Sequence, residues 1–251
     1  MIHNRPQTPR LFYLTEIDST NKAIQRIAAV EELLSGSIVM ADFQTAGRGQ
    51  KGFSWESEAG KNLIFSILFH PVNVPANRPF VISEMASLSV KYTLDQYLTD
   101  ITVKWPNDIY YKDLKITGIL IENVIIARKI AQSVIGIGIN VNQTEFISDA
   151  PNPVSIAQIT GQPLDRLKVF ADFRRTFATQ SERLNNACFD AIHDDYKNAM
   201  YRKEGYHKYA DATGIFEARI HDIEPTGHLI LERPDGSRSQ YAFKEVTQVP
   251  E

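Results

Sequence analysis

Two spacings of apolar residues, one near two and one near three and a half, take turns along this chain. Leu11–Leu14 reads as a short strand, and Asp18, Ser19 and Thr20 behind it are each able to cap a helix. Ala23, Ile24, Ile27, Ala28 and Leu34 then fall close to helical spacing, so a helix is expected over Asn21–Leu34 with Gly36 as its stop. Two apolar runs, Ser37–Met40 and Leu63–Phe69, read as strands on either side of a long polar segment. Val81, Met85, Leu88 and Tyr92 recur at the spacing of a helix with one buried face. Strands are expected at Ile101–Trp105, Asp108–Tyr111, Ile116–Ala127 and Ile130–Asn142, the last two a hairpin joined at Arg128-Lys129. Both hairpin arms are apolar at nearly every position, as in strands covered on both faces. Helical spacing returns from Asp165 to about Met200 through Leu167, Phe170, Phe173, Phe177 and Leu184. Beyond Tyr201–Gly205, short strands around Ile215–Ile220, Leu229–Glu232 and Ser239–Phe243 alternate with turns at Pro225-Thr226-Gly227 and Pro234-Asp235-Gly236. The pattern divides the chain into a main domain, 1–200, and a small all-β unit, 201–251, which must pack on the first to be stable.

Composition narrows the class of protein. Across 251 residues, 43% hydrophobic and 23% charged content describe an ordinary globular chain, and a net charge of -3 gives no general nucleic-acid footprint. No apolar run reaches the roughly 18 residues of a membrane span, and the polar N-terminus lacks the apolar core of a signal peptide. Cytoplasmic location and no membrane contact are therefore expected. Cys188 is the single cysteine and reads as a buried free thiol.

The candidate chemistry sits between the first two apolar runs. Gly47-Arg48-Gly49-Gln50-Lys51-Gly52 fits G-x-G-x-x-G, but a strand follows where a dinucleotide site needs a helix N-terminus. No His-Arg-Asp or Asp-Phe-Gly motif follows, as in a kinase, and no G-x-x-x-x-G-K-[ST] is present. A hairpin loop with solvated charges is the bland alternative. A second polar cluster, Lys104-Trp105-Pro106-Asn107-Asp108, interrupts an apolar strand, with Lys115 and Gly118 beyond it. Alone, Asp108 is a turn-former and Lys115 a solvated charge. With the basic glycine loop they supply the cations, amide and carboxylate that a Mg-nucleotide requires. The histidines are scattered, without H-x-x-x-H or G-x-S-x-G, so a metal-dependent or triad hydrolase has little support.

GRGQKGFSWESEAGKNLIFS resembles the signature loop of biotin protein ligases, and KWPNDIYYKDLKITGILIE resembles their K-W-P-N-D segment with its downstream K-x-x-G-I-L-x-E. Asp18-Ser19-Thr20-Asn21, Gln44 and Gly136-Ile137-Gly138-Ile139-Asn140 follow the family's order, so the likeness spans nearly the whole chain. It implies an α+β fold: a central mixed sheet flanked by helices, of the class II synthetase-like biotin/lipoate ligase type, with a C-terminal SH3-like barrel. It also implies two half-reactions, in which ATP with Mg²⁺ converts biotin to biotinyl-5′-AMP and a lysine of a biotin carboxyl carrier domain then takes the biotinyl group.

Attack of one anion on another needs cations, and the roles of Arg48 and Lys115 follow, with Lys51 assisting at the phosphates. The resemblance implies a biotin site of Ser19, Thr20, Asn21, Gln44, Arg48, Gly49, Gln50, Lys115 and Gly118. On the adenylate side it implies Arg48, Lys51, Trp55, Asn107 and Asn140, with Trp55 stacking on adenine or simply a core aromatic, and Asp108 as a Mg²⁺ ligand. Gln50 and Phe53 stand where the family often has arginine, so charge is left to Arg48, Lys51 and Lys115. About ten residues precede Leu11, too few for the three helices of a DNA-binding domain, and no operator binding is expected. A lipoate–protein ligase and a non-catalytic biotin-binding regulator are the competing readings. The hairpin edges leave a homodimer open.

Overall fold

The computed structural model describes residues 8–49, 54–148 and 152–249. The main part of the chain runs β1 (Leu11–Ile17), α1 (Thr20–Val30), β2 (Ser37–Gln44), β3 (Leu63–Phe69), α2 (Phe80–Leu94), β4 (Ile101–Lys104), β5 (Asp108–Tyr111), β6 (Leu114–Ile126) and β7 (Lys129–Ile139). Helices α3 (Ile156–Thr160), α4 (Arg166–Asn185) and α5 (Phe189–Asn198) follow. The seven strands form one sheet in the order β1-β2-β3-β7-β6-β5-β4, with β1 and β2 parallel and the other neighbours antiparallel.

Strand alternation gives this sheet two unlike faces. Ile38 and Met40 of β2, Leu63, Phe65 and Ile67 of β3, and Ile135, Ile137 and Ile139 of β7 point into the main core with α2, α4 and α5. The opposite face carries Val39, Leu68 and Val134, covered by Ala23 and Ile24 of α1. Further along that second face the large side chains stop. Ser66 lies beside Gly136, which lies beside Leu120, and Ile64 lies beside Gly138, which lies beside Gly118. A low floor results, and the candidate site stands on it.

Several expectations change. Helix α1 ends at Val30 rather than Leu34, because Glu31 turns extended; Gly36, at φ 88°, instead starts β2 and donates to Leu68 O at 2.7 Å. Helix α2 is buried on most sides, not on one face, because the sheet lies beneath it and α4 and α5 above. Two of its polar members are satisfied locally, Ser89 Oγ donating to Met85 O and Thr93 Oγ1 to Ser89 O, each at 2.7 Å, while the buried Ser87 Oγ has no partner. The expected helix from Asp165 to Met200 is two helices broken at Asn186–Cys188, where Ala187 takes φ 58°, and Cys188 is exposed rather than buried. The arms of the β6–β7 hairpin are not both covered throughout. Strand β5 pairs only as far as Thr117 on β6, so the far end of β6 is an edge and Val124, Ile125 and Ile126 are exposed. The turn between the arms is Ala127-Arg128, both at positive φ, one residue earlier than expected.

The C-terminal strands β8 (His207–Asp211), β9 (Gly214–Ile223), β10 (Leu229–Glu232), β11 (Arg238–Tyr241) and β12 (Thr247–Gln248) form a second, antiparallel sheet in the order β11-β10-β9-β8-β12, consistent with an SH3-like unit. It docks on the main part through an apolar cluster continuous with the main core and through polar contacts. Phe80 N donates to Pro225 O, and Trp105 Nε1 donates to Gly227 O at 3.0 Å. Lys197 and His193 on α5 both reach Asp222 on β9. No helix among the described residues is long and apolar enough to cross a membrane.

Candidate active site

Over the glycine floor lies a cavity of about 630 Å³, and every described residue predicted for the site lines it. Ser19, Thr20 and Asn21 enter from the start of α1, and Gln44 from the end of β2. Arg48, Gly49 and Trp55 enter from the glycine loop. Asn107 and Asp108 come from the turn between β4 and β5, Lys115 and Gly118 from β6, and Asn140 from just beyond β7. Gln50 and Lys51, with the neighbouring Phe53, lie outside the described residues.

The α1 end is a closed hydrogen-bond network. Ser19 is the N-cap residue of α1 but its side chain makes no cap bond, so the hydroxyl remains on the cavity side. Thr20 donates from its backbone N at 2.8 Å and from Oγ1 at 3.0 Å to Gln44 Oε1. Ser66 Oγ sits 2.7 Å from Thr20 Oγ1 and 2.6 Å from Asn21 Oδ1. Asn21 Nδ2 donates to Glu122 Oε2 at 2.8 Å, and Gln25 Nε2 to the same oxygen at 3.2 Å. Glu122 Oε1 meets Arg48 Nη2 at 3.4 Å. Gly136 is what admits Asn21 here, since a Cβ at 136 would lie 2.2 Å from Asn21 Oδ1.

The opposite end is cationic and less complete. Lys115 Nζ donates to Asp108 Oδ2 at 2.7 Å, and pairing of its backbone with 152–154 fixes the lysine on both sides. Asp108 therefore meets Lys115, not a metal-binding cluster: no group of three or more His, Cys, Asp and Glu side chains able to hold an ion occurs among the described residues. Lys104 points away, over the Tyr110 ring at 4.8 Å, and burial lowers its pKa while Asp108 opposes that shift. Asn107 Nδ2 donates to Ile119 O at 3.0 Å, tying the Trp-Pro-Asn-Asp turn to β6.

Trp55 is neither in the core nor free. Its indole lies on Gly118 and Gly138, where an added Cβ would come within 2.8 and 2.3 Å of ring carbons, so the group nearest Gly118 is this chain's own tryptophan. Trp55 Nε1 and Asn140 Oδ1 are both buried without a hydrogen-bond partner. Buried polar atoms are rarely left so, and an orphan donor and an orphan acceptor in one cavity are what a polar ligand would satisfy.

Two loops meet above this end. Glu56 accepts from Ile147 N and Ser148 N, each at 2.9 Å, and burial's upward pull on its pKa is outweighed by these hydrogen bonds, leaving it lowered. Asn62 and Gln143 brace the bases of the same loops through a 2.7 Å bond. Phe243 of the C-terminal unit completes the wall, its ring packed edge-on to Trp105 at 6.0 Å.

Sequence reading missed Ser66, Glu56, Glu122, Gly136, Gly138 and Phe243 as individual site residues. Ser66 and Glu122 carried a signal, being polar positions inside apolar strands, and Gly136 and Gly138 repeat at the two-residue period of one strand face. Glu56 and Phe243 carried none, because their position depends on loop packing and on docking of the second sheet.

Comparison with known proteins was made against this geometry. Residues 13–140 match the model of the biotin/lipoate A/B protein ligase family. The bifunctional ligase/repressor BirA of Bacillus spizizenii is 29% identical over 252 residues, covering 92% of this chain and 72% of that protein. The biotin–[acetyl-CoA-carboxylase] ligase of Paracoccus denitrificans is 29% identical over 238 residues, covering 89% of this chain and 94% of its own. Among solved structures, biotin protein ligase from Aquifex aeolicus in complex with biotin and ATP superposes with a TM-score of 0.78 at 23% identity, covering 97% of this chain and 100% of that one.

Proposed function

The chain belongs to the biotin/lipoate A/B protein ligase family, and from that premise we propose that it is a biotin–protein ligase, an ATP-dependent, AMP-forming enzyme. It activates biotin to biotinyl-5′-AMP and transfers the biotinyl group to a lysine of a biotin carboxyl carrier domain. The observation that carries this reading is one cavity with an end of fixed hydroxyls and amides and an end that presents Lys115, suited to the two halves of a biotinyl adenylate. The Paracoccus denitrificans relative named above is a biotin ligase, which favours biotin over lipoate.

The reading assigns roles as follows. Ser19, Thr20, Asn21 and Gln44 hold the ureido ring, where fixed hydroxyls and amides suit a small neutral group. A biotin carboxylate oxygen attacks the α-phosphorus of ATP, a new P–O bond forms, and pyrophosphate leaves. Arg48 and Lys115 face the two anions that must approach, Arg48 gripping two oxygens and Lys115 acting as a point charge. Lys51 assists at the phosphates, and Gly49 and Gln50 add loop contacts. Asp108 holds Lys115 in place. Asp108 is also the carboxylate that would meet a Mg²⁺ arriving with ATP, since Mg²⁺ needs few protein ligands when phosphates supply the rest. That ion would neutralise phosphate charge.

Asn107, Asn140 and Trp55 lie on the adenylate side, where the orphan indole N–H and amide oxygen await partners. In the second step the carrier lysine's amine attacks the acyl carbon, the acyl–phosphate bond breaks and AMP leaves. Arg48 and Lys115, retained from the first step, stabilise that leaving group. The exposed apolar end of the β6–β7 hairpin is the surface assigned to subunit pairing.

Incubating the protein with ATP, Mg²⁺, biotin and a carrier domain tests this. Labelling of the carrier lysine is expected from wild type and a loss from Arg48→Ala and Lys115→Ala. Undiminished labelling by both variants would refute the site assignment, and none by wild type would refute the activity.

A further inference from the structure

The buried network at the α1 end terminates in a carboxylate that none of the roles above uses. Glu122 stands on β6, on the same sheet face as Gly118 and Leu120 and directly opposite Val134, at the rim of the glycine floor. Its two oxygens face different partners. Oε2 accepts from Asn21 Nδ2 at 2.8 Å and Gln25 Nε2 at 3.2 Å, while Oε1 meets Arg48 Nη2 at 3.4 Å. Arg48 and Glu122 are both partly exposed, at 37% and 34%, so their ion pair is open to solvent and to exchange with a ligand. Asn21, by contrast, is 3% exposed and Ser66 is fully buried.

An ionised carboxylate only accepts hydrogen bonds, and that property propagates. Facing Glu122, Asn21 must present its NH₂, so its Oδ1 turns to Ser66. Oδ1 needs a donor, and the Ser66 hydroxyl at 2.6 Å supplies one. Thr20 Oγ1 lies within hydrogen-bond distance of both Ser66 Oγ and Gln44 Oε1, and the Thr20 backbone N–H at 2.8 Å holds Gln44 Oε1 toward the helix start. With its oxygen occupied, Gln44 keeps its NH₂ for the cavity. The direction of two buried hydrogen-bonding groups, Asn21 and Ser66, is thus fixed by one charge at the end of the row.

We propose that Glu122 is a positioning residue for both halves of the reaction: through Oε2 it fixes the orientation of Asn21, and with it Ser66, at the ureido site, and through Oε1 it aims Arg48 at the reacting anions. Glu122 acts through Asn21 and Arg48 and touches no reacting atom itself. The proposal rests on the biotin–ligase reading.

The two oxygens can be separated by substitution. Glu122→Gln keeps an oxygen for Asn21 and Gln25 but turns an NH₂ toward the Arg48 guanidinium, whereas Glu122→Ala removes both contacts. Biotin binding is measured by calorimetry without nucleotide, and adenylation by biotin-dependent ATP–pyrophosphate exchange at saturating biotin. Glu122→Ala is expected to weaken biotin binding about 30-fold, the loss typical of a buried hydrogen bond to a charge, and to slow exchange as well. Glu122→Gln is expected to bind biotin within about threefold of wild type yet lose about tenfold or more in exchange rate. A purely structural role predicts that the two readouts fall together in both variants, and that result would overturn the proposal. So would Glu122→Ala binding biotin as wild type does. Failure of wild type to bind biotin at all would instead remove the parent reading and this proposal with it.

Discussion

The two ends of the cavity are built from different materials. At the α1 end, Thr20, Asn21, Gln44, Ser66 and Glu122 sit on a helix and strands, and their polar groups already satisfy one another. At the other end Arg48 and Trp55 sit on a loop, Phe146, Ile147 and Ser148 on another, and Trp55 Nε1 and Asn140 Oδ1 have no partner. The first end holds its shape before a ligand arrives; the second has bonds still to make. A protein that must bind a small vitamin from dilute solution gains from a preformed recognition site. One that must shield an acyl adenylate from water, then release it to a lysine, gains from a cover that closes after binding.

Substitution can break that contrast or sharpen it. The largest effect is expected at the cation of the second end. Lys115→Ala should slow adenylation by about 10²–10³, as loss of a preorganised cation does, with the deficit in exchange rate rather than in protein stability. Next come two glycines whose substitution creates similar clashes on paper, since a Cβ at Gly136 would meet Asn21 Oδ1 at 2.2 Å and one at Gly138 would meet Trp55 Cε2 at 2.3 Å. Asn21 is pinned by Ser66 and Glu122, while no side-chain hydrogen bond holds the Trp55 indole. Gly136→Ala should therefore cost about 100-fold in biotin affinity and Gly138→Ala less than about tenfold, both read by calorimetry. Equal losses would mean that the two ends are equally rigid.

The smallest effect separates the whole site from the contact between the two sheets. His193 lies 2.7 Å from Glu84 and 3.2 Å from Asp222, so it bridges α2 and β9. The hydrogen bond to Glu84, above all, raises its pKa against burial, with Asp222 adding to the rise. A raised folded-state pKa means that folding favours the protonated ring. The resulting stability is fully present below the unfolded value of about 6.5 and is lost as pH rises through the higher folded value. Tm should fall as pH is raised from about 6 to about 8, and His193→Ala should flatten that slope while leaving biotin affinity unchanged.

The same contrast explains what could be read from the chain. Strand and helix residues were legible because their spacing is periodic: the runs Ser37–Met40 and Leu63–Phe69 lie within β2 and β3, and Gly118 falls on β6 as expected, although β6 starts earlier and takes in Lys115. Their joint placement around one cavity was legible only through the family's motif order. Residues whose role comes from long-range packing were not. Glu56 reaches Ile147 and Ser148 across about ninety positions of sequence, as the separations of 91 and 92 show, and no local pattern marks that. Phe243 depends on how the second sheet docks. Cys188 was misread as buried because the run from Asp165 to Met200 looked like one helix, whereas the break at Ala187 puts the thiol at an exposed helix start. The exposed end of β6 was misread for a related reason: an apolar run does not reveal that its neighbour β5 is four residues long.

The most direct test of the account is biotin-dependent exchange of labelled pyrophosphate into ATP, which isolates the first half-reaction and needs no acceptor protein. The account predicts exchange that requires biotin, is not supported by lipoate, and falls about 10² or more with Lys115→Ala. Exchange driven by lipoate and not by biotin, or a Lys115→Ala protein as fast as wild type, would contradict it.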